Sequence, residues 1–333
     1  MDPRKQVNPI DVIEAAYDLD VDDRAWLVRL THLVRPLLDD GLGVMAYPFD
    51  IHVPVETWFA GSVIEDIEEF VLPLVAAMQQ RSPSVTHAFH QLPDVLLTMR
   101  DTQARTGLEP PAQLEELFAR IGACDGASLR TVEPGGRGVI FTSARREVRP
   151  YDERTRRVWR QVAAHIAAGR RLRAALARGA GQVEAVLTPS ARVEHVEGRA
   201  TSVTAREALR AAVRLQEHAR GWARQDQPEA AAGAWTALVS GQWSLVDQYE
   251  RDGRRYLVAR RNDLGLRDPR ALTAREHAIV RLAALGKANK LIAYELGLAE
   301  STVGTHLASA MRKLGARSRV ELVGLIAQLD DGP

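Results

Sequence analysis

The chain has 333 residues, which predicts two or three domains at about 150 residues per domain. Apolar residues make up 46% and charged residues 26%, a composition that excludes wholesale disorder, and no apolar run approaches the roughly 18 residues that a membrane span needs. The formal net charge is +1, yet residues 1–130 carry 21 acidic against 10 basic side chains. The later residues carry the basic excess, which fits either a nucleic-acid partner or solvated Arg-rich helix faces.

The amino terminus and the cysteine content predict a cytoplasmic protein. The polar residues after Met1 include Asp2 and Lys5 and are followed by no apolar segment, so we expect no secretory signal. Cys124 is the single cysteine and cannot form a disulfide within the chain. A reducing compartment is consistent with this cysteine usage.

The first part of the chain is predicted to be a mixed α+β region, because helical periods alternate with β-branched runs. Residues 1–20 should hold a short helix that precedes a domain over 21–180. The predicted elements of that domain are helix 23–38, strands Val44–Asp50 and Val53–Phe59, helix 62–80, short helices within 83–121, and a hairpin of Ala127–Glu133 with Arg137–Ser143.

One long helix is predicted over Tyr151–Gly179. An apolar stripe follows one side of it, formed by Val158, Val162, Ile166, Leu172 and Leu176. A helix packed on its own domain would show such a stripe, and a parallel dimer would show it too. The five residues are therefore candidates for a dimer helix, with packing inside the chain as the alternative.

A smaller α+β unit is predicted over residues 181–262. Its expected elements are strands Glu184–Thr188 and Arg192–Val196, helices 204–220 and 228–239, and a hairpin of Trp243–Glu250 with Arg255–Arg261. Residues 263–270 are predicted to be a linker.

The carboxy-terminal residues 271–328 are predicted to be all-helical. Thr273 and Glu276 have the spacing of a capping box, Gly286 and Gly297 are expected to end two helices, and a third helix should begin near Glu300. Two helices joined by a tight turn that contains glycine form a helix-turn-helix, whose second helix enters the major groove of DNA. A plain packing module of three or four helices would show the same pattern.

The third helix of this region separates into two faces. Its apolar residues Val303, Leu307, Ala310 and Leu314 recur at helical spacing and should face the core. Short polar and basic side chains fall elsewhere and could approach bases or phosphates. The candidate DNA-binding residues of the region are Lys287, Lys290, Ser301, Thr302, Thr305, His306, Ser309, Arg312 and Lys313.

Residues 272–323 resemble the LuxR-type helix-turn-helix of bacterial transcription factors. The stretches that carry the resemblance are Leu-Thr-x-Arg-Glu at 272–276, Asn289-Lys290, Ile292-Ala293, Leu296-Gly297, Thr302-Val303-x-Thr305-His306, Arg312-Lys313-Leu314-Gly315 and Arg317-Ser318-Arg319. The resemblance implies binding of double-stranded DNA through the helix 300–314, usually as a homodimer over an inverted repeat. It also implies a fourth helix, about Arg319–Gln328, that supports dimer contacts.

Four positions depart from the pattern of that family. Ala288 and Ala299 stand where the family usually has a capping serine, and a missing cap costs about 0.5–2 kcal/mol. Gly304 and Ala308 stand where relatives often place a cation. Glycine inside a helix costs about 1 kcal/mol, so we expect DNA binding to be weak or to depend on a dimer.

The upstream regions resemble sensory modules. Residues 21–180 have the element order of a GAF domain, a family that encloses a small-molecule pocket between its sheet and a helical lid, and residues 181–262 resemble a shortened PAS-like unit. The candidate pocket residues are Tyr47, Phe49, Trp58, Phe59 and Leu129, and the alternative for each is ordinary core packing. The sequence leaves any cofactor unspecified.

Other chemistry finds little support in the sequence. A receiver domain is disfavoured because Asp39-Asp40 precedes the first strand rather than following it. His87, His90 and Asp94 have the spacing of metal ligands, but Pro93 interrupts the helix, so we predict no metal site and no catalytic residues.

The sequence thus predicts a cytoplasmic, homodimeric bacterial DNA-binding transcriptional regulator of multidomain α+β fold, rather than an enzyme or a membrane protein. A small molecule or a partner at the amino-terminal domain would modulate its DNA binding. The alternative is an interaction or scaffold protein whose degenerate helix-turn-helix mediates dimerisation or protein contact.

Overall fold

A computed structural model describes most of the chain as two compact units, Met1–Ala167 and Ala168–Pro333. The described residues are 7–81, 86, 89–90, 92, 94–107, 109–133, 136–221, 227–235, 238–240, 242–249, 253–262, 272–314, 316, 318–320 and 322–323. Within them, no helix is both long enough and apolar enough to cross a membrane.

The first unit is built from an antiparallel sheet and surrounding helices. Its elements in chain order are α1 (Pro9–Ala16), α2 (Asp23–Leu38), β1 (Val44–Asp50), a 3-10 helix (Val55–Gly61), β2 (Val63–Glu65), α3 (Val71–Arg81), β3 (Leu96–Thr98), α4 (Met99–Thr106), α5 (Ala112–Ile121), β4 (Asp125–Val132), β5 (Arg137–Arg145) and the long helix α6 (Glu153–Ala177), which continues into the second unit.

The five strands lie in the order β2-β1-β5-β4-β3. The two longest neighbours, β4 and β5, form the predicted hairpin, with Leu129 opposite Phe141. The core of the sheet contains side chains that are almost completely buried, among them Tyr47 and Phe49 on β1. The alternation of β-branched and aromatic residues in the sequence accounts for these strands.

One predicted strand of the first unit is wrong. Residues 53–59 were expected to be extended, but Val55–Gly61 form a 3-10 helix. The Thr57 hydroxyl donates to the carbonyl of Pro54 over 2.8 Å, and the Trp58 indole N–H donates to the carbonyl of Asp50 over 2.9 Å. These local hydrogen bonds give the chain an alternative to strand pairing, and sequence periodicity does not reveal them.

Two short strands were also missed. β2 lies within residues 62–80, which were predicted to be helical, and its Val63 and Ile64 pair with β1, so that the helix α3 begins only at Val71. β3 lies in the stretch predicted as short helices, and its Leu96 pairs with Leu129. Three residues are too few for the period of two to stand out from a helical pattern.

The long helix α6 confirms the prediction of a helix over residues 151–179. Its apolar stripe is covered within a single chain: Val162, Ile166 and Leu172 are fully buried, Val158 is nearly so, and Leu176 is half-buried. This burial favours the packing alternative, because a dimer through the stripe would need these side chains at the surface.

The second unit contains a four-stranded antiparallel sheet and a helical module. Its elements after α6 are β6 (Val183–Leu187), β7 (Val193–Val196), a 3-10 helix (Gly198–Thr201), α7 (Val203–Arg220), α8 (Pro228–Ala234), β8 (Trp243–Tyr249), β9 (Arg255–Arg261), α9 (Ala274–Ala284), α10 (Asn289–Leu296) and α11 (Glu300–Leu314). The sheet order is β7-β6-β9-β8.

The four strands and α7 confirm the elements predicted over residues 181–262, although α8 ends earlier than expected. Leu209 and Val213 of α7 share a hydrophobic core with Leu187 and Leu257 of the sheet. The predicted linker 263–270 and most of the predicted helix 319–328 lie outside the described residues.

The three helices α9, α10 and α11 form the helical module and pack around one hydrophobic core. Ile279, Ile292 and Val303 supply one fully buried side chain from each helix. Leu238, which precedes the module by more than thirty residues, lies in the same core. The Tyr294 hydroxyl of α10 donates to the carbonyl of Ala232 over 2.6 Å, so the module is attached to the α8–β8 segment.

Candidate nucleic-acid interface and ligand cavity

Local hydrogen bonds set the ends of the module's helices. The capping box predicted at the start of α9 is present: the Glu276 amide donates to the Thr273 hydroxyl over 3.2 Å, and the Thr273 amide donates to the Glu276 carboxylate over 2.8 Å. Ala288 has the extended backbone of a capping residue but offers no side-chain acceptor to α10. Gly297 ends α10 in the left-handed conformation with φ 60°, which glycine adopts without strain.

The helix α11 presents one clear exposed stripe. Ser301, Thr305, Ala308 and Arg312 are exposed and recur three or four residues apart, so they lie along one side of the helix. The opposite side is the predicted core face, where Val303, Leu307 and Ala310 are buried and Leu314 packs against the same core. A helix with an exposed polar stripe of this length can lie in a DNA groove.

Two residues predicted to contact DNA bond to α9 instead of standing free. The Ser309 hydroxyl donates to one oxygen of the Glu276 carboxylate over 2.7 Å, and the Lys313 ammonium donates to the other oxygen, also over 2.7 Å. Their side chains lie between the exposed stripe and the core, within reach of the buried carboxylate. Lys313 is nevertheless exposed, so it stays a predicted DNA contact whose charge is also paired with Glu276.

Glu276 is therefore the centre of a buried polar cluster. Burial opposes ionisation of its carboxyl group, but the Lys313 ammonium, the Thr273 amide and the Ser309 hydroxyl together lower the pKa of Glu276 to about 2. The carboxylate is ionised at neutral pH and satisfies three donors at once. The capping glutamate thus joins α11 to the first turn of α9.

The two lysines ahead of α11 have different surroundings. The Lys287 ammonium is buried and bonds both oxygens of the Glu295 carboxylate, over 2.7 and 3.0 Å. This buried ion pair connects the turn before α10 to the end of that helix. The Lys287 ammonium is therefore poorly accessible to a phosphate. Lys290 is exposed on α10, where its charge can reach solvent or a ligand.

The remaining predicted contacts lie on or beside the exposed stripe. Thr302 and His306 are half-buried on the flank of the stripe, next to Ser309. The Thr305 hydroxyl donates to the carbonyl of Ser301 over 3.0 Å, so its lone pairs alone are left to accept from a ligand. Among the residues that the structure describes, Arg312 and Lys290 are the cations of the module that are exposed without an observed ion-pair partner.

The first unit has a partly open cavity of about 520 Å³ that is lined by residues of its sheet and helices. This volume lies within the range of about 300–1,000 Å³ that small-molecule sites occupy. Apolar side chains of the sheet and of the helices α3 and α5 form much of the wall. They are Met45, Val71, Val75, Met78, Leu114, Leu117, Phe118, Ile121 and Ile140.

A buried polar group stands at one end of this cavity. His90 lies between the carbonyl of Thr86, 2.7 Å from Nδ1, and the Tyr47 hydroxyl, 3.1 Å from Nε2. Nδ1 must donate to the carbonyl, and in a neutral imidazole Nε2 then accepts from the Tyr47 hydroxyl. The Gln79 amide donates to the Tyr47 oxygen over 2.9 Å, and burial raises the pKa of the Tyr47 phenol.

The predicted pocket residues divide around this polar group. Tyr47 lines the cavity, whereas Phe49, Trp58, Phe59 and Leu129 are not among its lining residues. Phe49 and Trp58 pack their rings against the imidazole of His90, with ring centroids 4.7 and 4.8 Å away. The sequence reasoning missed Gln79 and the apolar wall of α3 and α5, since nothing in the local pattern shows which helix faces will cover the sheet.

The residues with metal-ligand spacing do not form a described site. His87 lies outside the described residues, and both ring nitrogens of His90 are bonded as above. Asp94 pairs with Arg105.

Comparison with known proteins assigns the helical module. Residues 270–326 match the family described as bacterial regulatory proteins, luxR family. The uncharacterized transcriptional regulatory protein YvfU of Bacillus subtilis is 43% identical over 60 residues, which cover 18% of this chain and 30% of YvfU. The nitrate/nitrite response regulator protein NarL of Escherichia coli is 46% identical over 55 residues, covering 16% of this chain and 26% of NarL.

A third relative is itself a short protein. The spore germination protein GerE of Bacillus subtilis is 42% identical over 52 residues, which cover 16% of this chain and 70% of GerE. The carboxy-terminal module is thus a LuxR-family domain, while the chain spans about a third or less of YvfU and NarL.

A solved structure aligns along more of the chain at low similarity. The crystal structure of Escherichia coli SdiA covers 92% of this chain and 91% of its own, with 12% sequence identity and a TM-score of 0.33. This score is too low to establish a common fold for the upstream residues.

Proposed function

We propose that the protein is a DNA-binding transcriptional regulator of the bacterial cytoplasm, rather than an enzyme, and that α11 enters the major groove of double-stranded DNA. The observation that carries the proposal is the exposed stripe of α11, set on a helix-turn-helix of the luxR family. Arg312 is the cation of that stripe and would neutralise a phosphate, while Ser301 and Thr305 would approach base edges or the backbone.

The proposal includes a homodimer and a sensory role for the first unit. Regulators with one helix-turn-helix per chain commonly gain affinity by binding two half-sites as a dimer. The element order of residues 21–180 and the cavity on the sheet support a GAF-like module that binds a small molecule, and residues 181–262 would be a PAS-like connector. Ligand binding would then shift the equilibrium between two arrangements of the chain.

The experiment is a titration of a random-sequence DNA duplex with the full chain at several salt concentrations. Arg312→Ala removes the exposed cation of α11, and Arg210→Ala removes an equal charge from an exposed position on α7. We expect Arg312→Ala to weaken binding to every sequence alike and to reduce the slope of log affinity against log salt by about 0.9 per subunit. Arg210→Ala should leave both quantities at their wild-type values.

The competing function is protein contact through the module without DNA binding. In that case the wild-type chain would show no salt-dependent affinity for the duplex even at low ionic strength. Equal affinity and slope in Arg312→Ala and the wild type would instead remove α11 as the contact surface.

A further inference from the structure

The described lining of the cavity in the first unit is mostly apolar, and none of its charged side chains is buried. Arg130 is fully buried against the ring of the lining residue Phe89, but it is not itself on the lining, and its guanidinium donates to the carbonyls of Phe89 and Asp94. The formally charged side chains on the cavity lining are Asp66, Glu68, Glu109 and Arg146, and each of these is exposed or half-exposed at the rim. Asp66 is further neutralised by an ion pair of 2.6 Å with Arg35. A ligand in the buried part of the cavity would therefore meet no buried charged side chain among the described lining residues.

An ionised ligand would lose its hydration in such a cavity without a countercharge. Burial of an unpaired carboxylate or ammonium is very costly, and the group would neutralise or stay outside. An apolar ligand gains roughly 25 cal/mol for each Å² of apolar surface that it removes from water. The wall thus selects for an uncharged and mainly apolar molecule.

The group formed by Tyr47, His90 and Gln79 offers a hydrogen-bonding partner to that molecule. Beside a neutral His90, the Tyr47 hydroxyl donates to the imidazole and accepts from Gln79, which uses its hydrogen and one of its lone pairs. Both ring nitrogens of His90 are bonded within the protein. The Gln79 side chain has a second amide hydrogen and a carbonyl oxygen, and it lies on the cavity lining at the half-buried face of α3.

We infer that the cavity binds an uncharged, predominantly apolar small molecule that carries one hydroxyl or carbonyl group hydrogen-bonded to Gln79. This inference rests on the proposed sensory role of the first unit and specifies the ligand class. The neighbouring Tyr47 and His90 hold the Gln79 amide in position, so Gln79 is the residue that sets the preference for a polar head group.

Three probes with the same ten-carbon chain test the ligand class: decanol, decanoate and decylammonium. Binding to the full chain is measured by equilibrium dialysis at neutral pH, below the aggregation concentration of each probe. We expect decanol to bind with one molecule per chain and at least tenfold more tightly than either ion. Equal or tighter binding of decanoate or decylammonium would overturn the inference.

Two matched tryptophan variants on α3 locate the site. Val75 lines the cavity, whereas Ala77 is exposed on the same helix and does not line it. Val75→Trp should occupy part of the cavity and weaken decanol binding, and Ala77→Trp should leave it unchanged. Decanol binding in Val75→Trp as tight as in the wild type would place the bound molecule elsewhere and overturn the inference.

Gln79→Leu tests the polar anchor in a chain whose folding is checked by circular dichroism. Loss of one neutral hydrogen bond of about 1 kcal/mol predicts a decanol affinity roughly fivefold weaker. Unchanged affinity would overturn the role of Gln79.

The same samples separate this inference from the proposed function. Failure of all three probes to bind, with salt-dependent DNA binding intact, would overturn the ligand class and leave the regulator proposal standing. Decanol binding that does not change the affinity for DNA would support the ligand class and overturn the sensory role.

Discussion

Replacement of Gly304 gives the sharpest test of how α11 meets DNA. Two explanations account for glycine at this position. Either the cation that relatives carry has been lost, or another group packs too closely against the helix for any side chain. Among the described residues, no group of the chain itself packs against this position, because a Cβ atom placed on Gly304 would meet nothing within 4 Å beyond its own stretch of helix. Close packing would therefore come from DNA or from a partner chain. The backbone there is helical, so alanine and lysine can adopt it without strain.

The expected size of the effect follows from helix propensity. Glycine in a helix interior is about 1 kcal/mol less favourable than alanine, and lysine is close to alanine. Both Gly304→Ala and Gly304→Lys should therefore stabilise the unit that contains the module by about 1 kcal/mol. For a unit of this size, that gain corresponds to a rise in Tm of about 2–4 °C.

The two variants should differ in their affinity for DNA. Gly304→Ala adds no charge, so it should leave the salt slope unchanged and strengthen binding only through a better-formed helix. Gly304→Lys adds a cation beside the exposed stripe, one turn from Ser301 and Ala308, and should steepen the slope by up to about 0.9 per subunit. Ala211→Lys, at an exposed position on α7, is the control for added charge elsewhere in the chain.

Thermal unfolding followed by circular dichroism and duplex titration at two salt concentrations provide the measurements. A fall in Tm for Gly304→Ala would refute the argument from propensity. A normal or raised Tm with weaker DNA binding in Gly304→Ala would refute the lost-cation explanation. That result would mean that DNA or a partner chain approaches the helix backbone at Gly304.

Three further predictions concern the polar cluster, the long helix and the missing cap. The pKa of Glu276 is lowered to about 2 from an ordinary value of 4.5. Its contribution to stability should therefore be complete above pH 4.5 and lost as the pH falls from 4.5 to 2. In Glu276→Gln, denaturant titrations should show a smaller decline of the unfolding free energy over that pH range. Val162→Glu places a charge in a fully buried position, so we expect circular dichroism to show loss of the folded state. If the wild type is a dimer and the variant is a folded monomer, α6 would instead be a dimer helix. Ala288→Ser should supply the absent cap of α10 and raise the unfolding free energy by about 0.5–2 kcal/mol, whereas an unchanged value would show that solvent already satisfies the helix end.

The order of the longer elements could be predicted from sequence, because burial imposes a period on them. The capping box at Thr273 and the hairpin of β4 and β5 have signatures within a few residues, and both are present. The segment that starts at Pro54 could not be predicted correctly, since Trp58 is drawn into a 3-10 helix by a hydrogen bond to the Asp50 carbonyl. Local propensity favoured a strand there, and the hydrogen bonds of Thr57 and Trp58 favoured the 3-10 helix.

The candidate interface shows the same division between local and distant causes. Helical spacing identified the buried side of α11 through Val303 and Leu307, and Arg312 lies on the opposite side as expected. The pairing of Lys313 with Glu276 joins residues 37 apart in sequence, and their spacing contains no sign of it. A basic residue on a recognition helix can therefore form an ion pair inside the module, and only the fold shows which basic residues do so.

The position of Leu238 determines where an isolated version of the helical module can begin. The fully buried side chain of this leucine fills the core that α9, α10 and α11 share, although it lies upstream of residues 263–271. A fusion that begins at Leu272 would leave an apolar hole in its place, and truncations of this kind at a buried leucine cost about 2–5 kcal/mol. A transplantable DNA-binding cassette from this protein must begin before Leu238, with the strands β8 and β9 carried along as part of its scaffold.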